Sequence, residues 1–319
     1  MNALSGLNSG LWIEGTAALR AMERRLLALW GRSDYAEVTP PLVMPEEAAR
    51  AASPEALRAR TLRVQANGEG ILALRSDFTA GVAWVASRRV PALEAPLRVC
   101  YAGAVLRKPT ADRPEGIETL QAGCERISPH MGPEGDEEMA FLAAGSLLAL
   151  DQLDSVLELG HWGLVGPLLE RMSWPGEGRQ ALEHALNRKS VPALDALGER
   201  YGREAEWSLL RKLVHLGGRP EAVDTLLPSL QAAGVGETWE ALRSLGMRVS
   251  REFPGLTLRL DPTDVRHWAY YSGLTVKAFS PRHALAILSG GRYDGLFPAL
   301  GKPFGACGFA VHLGRLLER

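Results

Sequence analysis

Three cysteines, a net charge of −1 and the lack of any long apolar run remove several function classes from this 319-residue chain. Cys100, Cys124 and Cys307 are odd in number, sit in apolar surroundings and show no metal-ligand spacing. They read as buried free thiols of a reducing cytosol, with no metal and no cofactor expected. Lys plus Arg (36) nearly equals Asp plus Glu (37). That balance argues against broad electrostatic affinity for nucleic acid, although it leaves room for a local basic patch. The N-terminus lacks the basic start and apolar core of a signal peptide, and no stretch approaches about 18 uninterrupted apolar residues. The expectation is a soluble, cytoplasmic protein with no membrane association.

What is present is ordinary in bulk and specific in arrangement. Apolar residues make up 46% and charged residues 23%, enough for a substantial core in one large domain with an insertion, or in two domains. Leu19, Met22, Leu26 and Trp30, with Arg20, Glu23, Arg24 and Arg25 between them, predict an amphipathic helix over 12–30. DYAEVTPPLV (34–43) reads as an extended edge or interface strand, because Pro40 and Pro41 forbid helix. TLRVQ (61–65) and ILALR (71–75) flank Asn67-Gly68, a hairpin signal. AGVAWVASR then looks helical, and Asp136–Leu153 is a helix with acidic residues in its first turn. SVLELG (155–160) is a short strand. From Gly163 the texture becomes Leu/Ala-rich and helical, and strands resume at LTLRLDP (256–262), WAYYSGLTVKAF (268–279), ALAILSGG (284–291) and ACGFAVHL (306–313). The architecture expected is α+β: an antiparallel sheet with flanking helices, divided into 1–162, a helical insertion at 163–250, and 251–319.

The centre of the chain is LRVCYAGAVLRKPTADRPEGIETLQAGCERI (97–127), which reads as two strands, Leu97–Arg107 and Ile117–Ile127, joined by a polar, Pro-rich loop. Gln121 and Glu125 lie four apart, so a period of two puts them on one face. Four islands of polar residues stand out: Asp77 with Thr79; Arg107 with Gln121 and Glu125; Arg266 with Tyr270 and Tyr271; and Arg292, Tyr293 and Asp294 in GGRYDGL. Each has a plainer reading. The hairpin charges could be a solvated face, and Asp77 could be a helix N-cap. Tyr270 and Tyr271 could fill opposite faces of a strand, and GGRYDGL could be a Gly-rich turn. Together the islands supply carboxylates, an amide, phenols and guanidinium groups, a set suited to a small zwitterion with hydrogen-bonding nitrogens.

The same residues resemble the catalytic domain of class II histidyl-tRNA synthetases over nearly the whole length. LRSDFT is similar to that family's LRPEGT, QAGCE to HQxGxE, VRHWAYYSG to RGLDYYT, and GFAVHLGRL to GFAxGLERL, while GGRYDGL matches outright. The resemblance implies a class II synthetase-like fold and a histidine pocket. Asp77 and Thr79 would hold the ammonium group, Gln121 and Glu125 would contact the ligand, and Tyr270 and Tyr271 would enclose its imidazole. Arg107 and Arg266 belong to the same implied site.

The activation machinery departs from that pattern. Where the synthetase loop reads RxERPQxGRxRxF, this chain has RKPTADRPEGIETLQ; Pro109, Thr110, Glu115 and Ile117 replace an acidic residue and three arginines. Arginines there would meet ATP and stabilise the transferring phosphate, and a carboxylate would repel it. His267-Trp268-Ala269 stands for GLD and Gly314 for the last motif's Glu, while Arg315 is retained. Only four residues follow Arg315, so a C-terminal anticodon-binding domain is expected to be missing and tRNA is not an expected partner. A histidine pocket without adenylation resembles the regulatory subunit family of ATP phosphoribosyltransferase. That likeness implies a short-form catalytic subunit as partner, catalysis on that partner, and L-histidine as effector. It also implies a homodimer, formed through the Leu19–Trp30 helix and the TPPL strand, within a hetero-octamer. The chain shows no acidic, Gly-rich phosphoribosyl-diphosphate loop of its own. A truncated histidyl-tRNA synthetase or other histidine-activating enzyme, and a ligand-free dimerisation scaffold, are the competing readings.

Overall fold

The computed structural model describes residues 11–66, 68, 70–110, 116–172, 176–201, 204–216, 218, 220–265 and 270–317. Its strands are β1 (Ala36–Glu37), β2 (Val43–Pro45), β3 (Arg63–Ala66), β4 (Gly70–Leu74), β5 (Leu97–Leu106), β6 (Glu118–Ser128), β7 (Val156–His161), β8 (Thr257–Asp261), β9 (Leu274–Phe279), β10 (Leu288–Arg292) and β11 (Gly305–Val311). Eight of them form the main sheet in the order β1-β5-β6-β11-β10-β9-β7-β8, and β2-β4-β3 form a separate small sheet. The interior pairs are antiparallel as expected, but both edge pairs, β1 with β5 and β7 with β8, run parallel. The sheet is therefore mixed. Between β7 and β8 the chain can return to the same end of the sheet, as a parallel pair requires, because it passes through a long run of helices.

Register explains how one sheet carries both a core and a polar face. Cys124, Phe309, Gly290, Val276, Leu159 and Leu260 are mutual neighbours across six strands. This row is apolar apart from its glycine and belongs to the main hydrophobic core, with Leu26 and Trp30 of the Ile13–Gly31 helix and Leu147 of the Pro133–Ala149 helix. The next row, on the opposite face, is Glu125, Gly308, Gly291, Thr275, Gly160 and Asp261. It is small or polar throughout. Near β5 and β6 this face is covered by the Phe78–Arg89 helix, whose Phe78, Val82 and Ala86 pack with Val99, Tyr101 and Ile127.

The Leu19–Trp30 stripe is used inside the chain. Leu19, Leu26 and Trp30 are buried, and Trp30 Nε1 donates to Ser146 Oγ at 3.1 Å. Glu23, expected among the polar positions, is also buried, where it accepts from Arg20 Nη1 at 2.5 Å. The helix expected from Asp136 starts three positions earlier, at Pro133, because proline is well placed at a first helical position, and it ends at Ala149, short of the expected Leu153. The Asn67-Gly68 hairpin forms with Gly68 and Gly70 at φ 81° and 80°, values that favour glycine. Residue 67 itself lies outside the described residues.

From Trp162 to Glu252 the described residues form helices and contain no strand. This segment shares the main hydrophobic core with β7 and β8, and one polar anchor to the end of β8 stands out. Lys189, at φ 51°, donates to both Asp261 carboxylate oxygens at 2.7 Å and to Thr263 Oγ1 at 2.8 Å. All three cysteines are buried and free.

Candidate functional site

The polar face of the sheet opens beside the Phe78–Arg89 helix into a cavity of about 360 Å³. Of the residues singled out from the sequence, Asp77, Thr79, Arg107, Gln121, Tyr270 and Tyr271 all line it. Arg266 lies outside the described residues, as does residue 115 of the central loop. Asp77 does two jobs at once: its carboxylate caps the helix by accepting from the Ala80 amide at 2.9 Å, and it faces the cavity. The N-cap and binding readings are compatible here. Burial raises the Asp77 pKa, while the capping bond and the nearby Arg107 guanidinium pull it down.

Glu125 is placed deeper than alternation alone suggests. It is buried beneath the cavity wall, and its carboxylate accepts hydrogen bonds from three hydroxyls: Thr79 Oγ1 at 2.6 Å, Tyr101 OH at 2.9 Å and Tyr293 OH. Burial pushes its pKa up to about 7, against the lowering effect of those three bonds, and the Asp77 charge raises it further. Burial holds the Tyr101 and Tyr293 phenols well above their ordinary pKa, so both stay protonated and able to donate. The carboxylate thus polarises a layer of hydroxyls, one of which, Thr79, lies in the first turn of the Phe78–Arg89 helix.

Glycine permits this arrangement. A Cβ on Gly308 would collide with the Glu125 carboxylate, and one on Gly123 would lie 2.7 Å from the Tyr101 hydroxyl. On the neighbouring strand, a Cβ on Gly291 would sit 2.6 Å from the Tyr271 ring. Tyr270 and Tyr271 precede β9 and do not alternate within it, which corrects the strand reading. Their rings meet edge to face at 5.2 Å between centroids, and Tyr270 stacks on Tyr293 at 5.4 Å. The result is an aromatic wall.

GGRYDGL serves two sides of the structure. Its Tyr293 faces the cavity. Its Arg292 points elsewhere, donating to Asp294 Oδ2 at 2.6 Å and to the Met131 carbonyl at 2.5 Å. Asp294 in turn accepts from Ser272 Oγ at 3.0 Å, bracing the turn that carries the tyrosine pair. Arg107 Nε donates to the Ser76 carbonyl, and Arg315 Nη1 to the Ala286 carbonyl. Arg315 is not part of the cavity lining.

Sequence reasoning singled out Tyr293 but missed other polar wall residues, among them Arg60, Tyr101, Ser289 and His312. Tyr101 could have been found from the hairpin, since pairing Val99 with Glu125 and Tyr101 with Gly123 puts Tyr101 on the Glu125 face. His312 stands where the similar motif GFAxGLERL has glycine, a departure visible in the string itself.

The histidyl-tRNA synthetase family model matches residues 13–316. An ATP phosphoribosyltransferase regulatory subunit from Alkalilimnicola ehrlichii is 30% identical over 95% of this chain and 76% of its own length. One from Moorella thermoacetica is 31% identical over 94% of this chain and 77% of its own length. Against the same-named protein of Desulfitobacterium hafniense, the match spans 78% of this chain and 64% of that protein. Among solved structures, an ATP phosphoribosyltransferase regulatory subunit/histidyl-tRNA synthetase from Bacillus halodurans superposes with a TM-score of 0.84 at 23% identity, covering 98% of this chain and 81% of that one, a likeness of fold. A histidine–tRNA ligase subunit from Alicyclobacillus acidocaldarius gives 0.80 at 26% identity, covering 98% and 95%. By family match and by identity over nearly its whole length, the chain belongs to the ATP phosphoribosyltransferase regulatory subunits, a histidyl-tRNA synthetase-like family.

Proposed function

We propose that this protein is the regulatory subunit of a two-component ATP phosphoribosyltransferase, assembling with a short-form catalytic subunit that carries the chemistry, and that its cavity takes free L-histidine. The observation that carries the ligand assignment is the pairing of an aromatic wall with the half-buried Asp77 carboxylate in one cavity of about 360 Å³, with the buried Glu125 carboxylate behind the hydroxyls of its wall. Asp77 and Thr79 would meet the ammonium group, Tyr270 and Tyr271 would flank the imidazole, and Arg107 would face the carboxylate. Gln121 would contact the ligand directly. Glu125, behind three hydroxyls, would act by orienting them. Arg266 belongs to the same proposal on resemblance alone.

Regulation requires that histidine bind two states of the assembly with different free energies, typically about 1–3 kcal/mol apart. Assembly into a homodimer within a hetero-octamer, in the cytoplasm and without tRNA, is part of the same reading. The Leu19–Trp30 stripe is already buried within the chain, so the dimer surface is better sought on the small sheet. There Val43, Pro45, Val64, Leu72 and Leu74 share one face by register, with Val43 41% and Val64 45% exposed.

The test is phosphoribosyl-ATP synthesis by a short-form catalytic subunit from the same source, with and without this protein, across a histidine titration. Activation that histidine reverses is the expected result. No activation together with no co-elution refutes the reading, and histidine-dependent exchange of pyrophosphate into ATP would then identify a histidine-activating enzyme.

A further inference from the structure

His312 follows the last residue of β11, and its imidazole enters the cavity wall. The ring meets polar atoms on both sides. Its Nδ1 lies 2.9 Å from Gln121 Nε2, and its Nε2 lies 3.0 Å from Ser289 Oγ. An amide nitrogen can only donate, whereas a serine hydroxyl can donate or accept. Gln121 therefore fixes the tautomer: Nδ1 accepts, and Nε2 carries the proton and donates to Ser289. The consequence returns to Gln121. Its side chain is almost wholly buried, its nitrogen is committed to His312, and its oxygen has no partner among the described residues.

We infer that His312 is a positioning residue of this pocket: it holds the Gln121 amide nitrogen so that the amide offers its oxygen, an acceptor, to an N–H group of the bound amino acid. The inference rests on the reading of the cavity as a histidine pocket and adds a residue that the motif comparison does not supply. Without an acceptor at position 312, the Gln121 amide could turn its nitrogen toward the cavity. A donor would then face the ligand's own N–H groups, and both would lose their partners. Ser289 strengthens the arrangement, because its hydroxyl can always accept from Nε2.

Calorimetric titration of L-histidine into the full-length protein tests this with a small set of variants. His312→Leu keeps bulk but removes the acceptor, and its histidine affinity should fall about tenfold, the loss of one buried hydrogen-bond arrangement. His312→Asn restores an acceptor close to the Nδ1 position and should bind within about threefold of wild type. The double variant His312→Leu with Gln121→Ala should bind no more weakly than Gln121→Ala alone, since His312 acts through Gln121. A folded His312→Leu protein that binds like wild type, or effects of the two substitutions that add, would overturn the inference. If His312→Leu does not fold, ¹⁵N spectra of the wild-type imidazole decide the matter, with protonation at Nε2 expected and protonation at Nδ1 overturning it. Wild-type protein that binds no histidine at all would remove the pocket reading together with this one, an outcome distinct from a binding wild type with an unaffected variant.

Discussion

Replacing Glu125 by glutamine should change how stability depends on pH, and the sign follows from where the carboxylate lies. Burial raises the Glu125 pKa from the ordinary 4.5 to about 7. In the unfolded chain the group loses its proton near 4.5, while in the folded protein it keeps it until about 7. The folded state therefore holds more protons across that interval, so stability falls as pH rises through it and levels off above 7. Integrating between pH 5 and 8 gives a loss of about 2–3 kcal/mol attributable to this one residue. Glutamine is nearly isosteric and cannot ionise. Its oxygen can accept from one hydroxyl, and its nitrogen can donate to another that rotates to receive it. Urea unfolding of wild type and Glu125→Gln at pH 5, 6, 7 and 8 should show the variant gaining on wild type from pH 5 to 7 and little more by pH 8. A difference between the two that is flat, or that shrinks with rising pH, would refute the claim that Glu125 is buried with a raised pKa. Glu125→Ala is the poorer probe. It strips three hydroxyls of their acceptor and confounds binding with folding.

Gly308→Ala should both destabilise the protein, by about 1–3 kcal/mol in thermal or urea unfolding, and abolish histidine binding, since the added methyl collides with the Glu125 carboxylate. Tyr271→Ala removes one ring of the aromatic wall and should weaken histidine binding about tenfold with little change in far-ultraviolet dichroism. Val64→Asp places a charge on the exposed apolar face of the small sheet and should dissociate the homodimer in light scattering without unfolding the protomer.

Much of the fold was legible because each signal acts locally. Alternation marked β5 and β6, the Asn67-Gly68 pair marked the β3–β4 turn, and the Leu/Ala-rich texture marked the helices between β7 and β8. The parallel edges were not legible. β1 is only two residues long, and neither Ala36 nor Glu37 carries a sign of which strand it joins or in which direction. For the site, the type and rough position of Asp77, Thr79, Gln121 and the tyrosine pair came through, because their motifs sit at strand and helix ends. Depth did not. A period of two reports the face of a sheet that a side chain occupies, and it cannot report that Thr79, Tyr101 and Tyr293 would close over Glu125. Tyr101 and His312 escaped for a related reason, since each matters through a partner more than twenty residues away.

The glycines of GGRYDGL show what such a motif is for in this fold. Read alone it resembles a turn, yet Gly290 and Gly291 lie within β10, and the side chains they lack make room for Phe309 and Tyr271. Gly123 and Gly308 do the same for Tyr101 and Glu125. Where backbone and side chains approach this closely, the floor of the cavity has no slack, and a ligand can do little to reshape it. The walls are held differently. The tyrosine pair depends on the turn braced by Ser272 and Asp294, and Gln121 depends on His312. Each brace is built from a few polar contacts, and exchanging one of them costs about 1 kcal/mol, within the range of a regulatory coupling free energy. On the proposal that this pocket takes histidine, a signal to a partner subunit would have two natural routes out of it, through the residues after Tyr271 and through the end of β11, and both avoid the rigid floor between them.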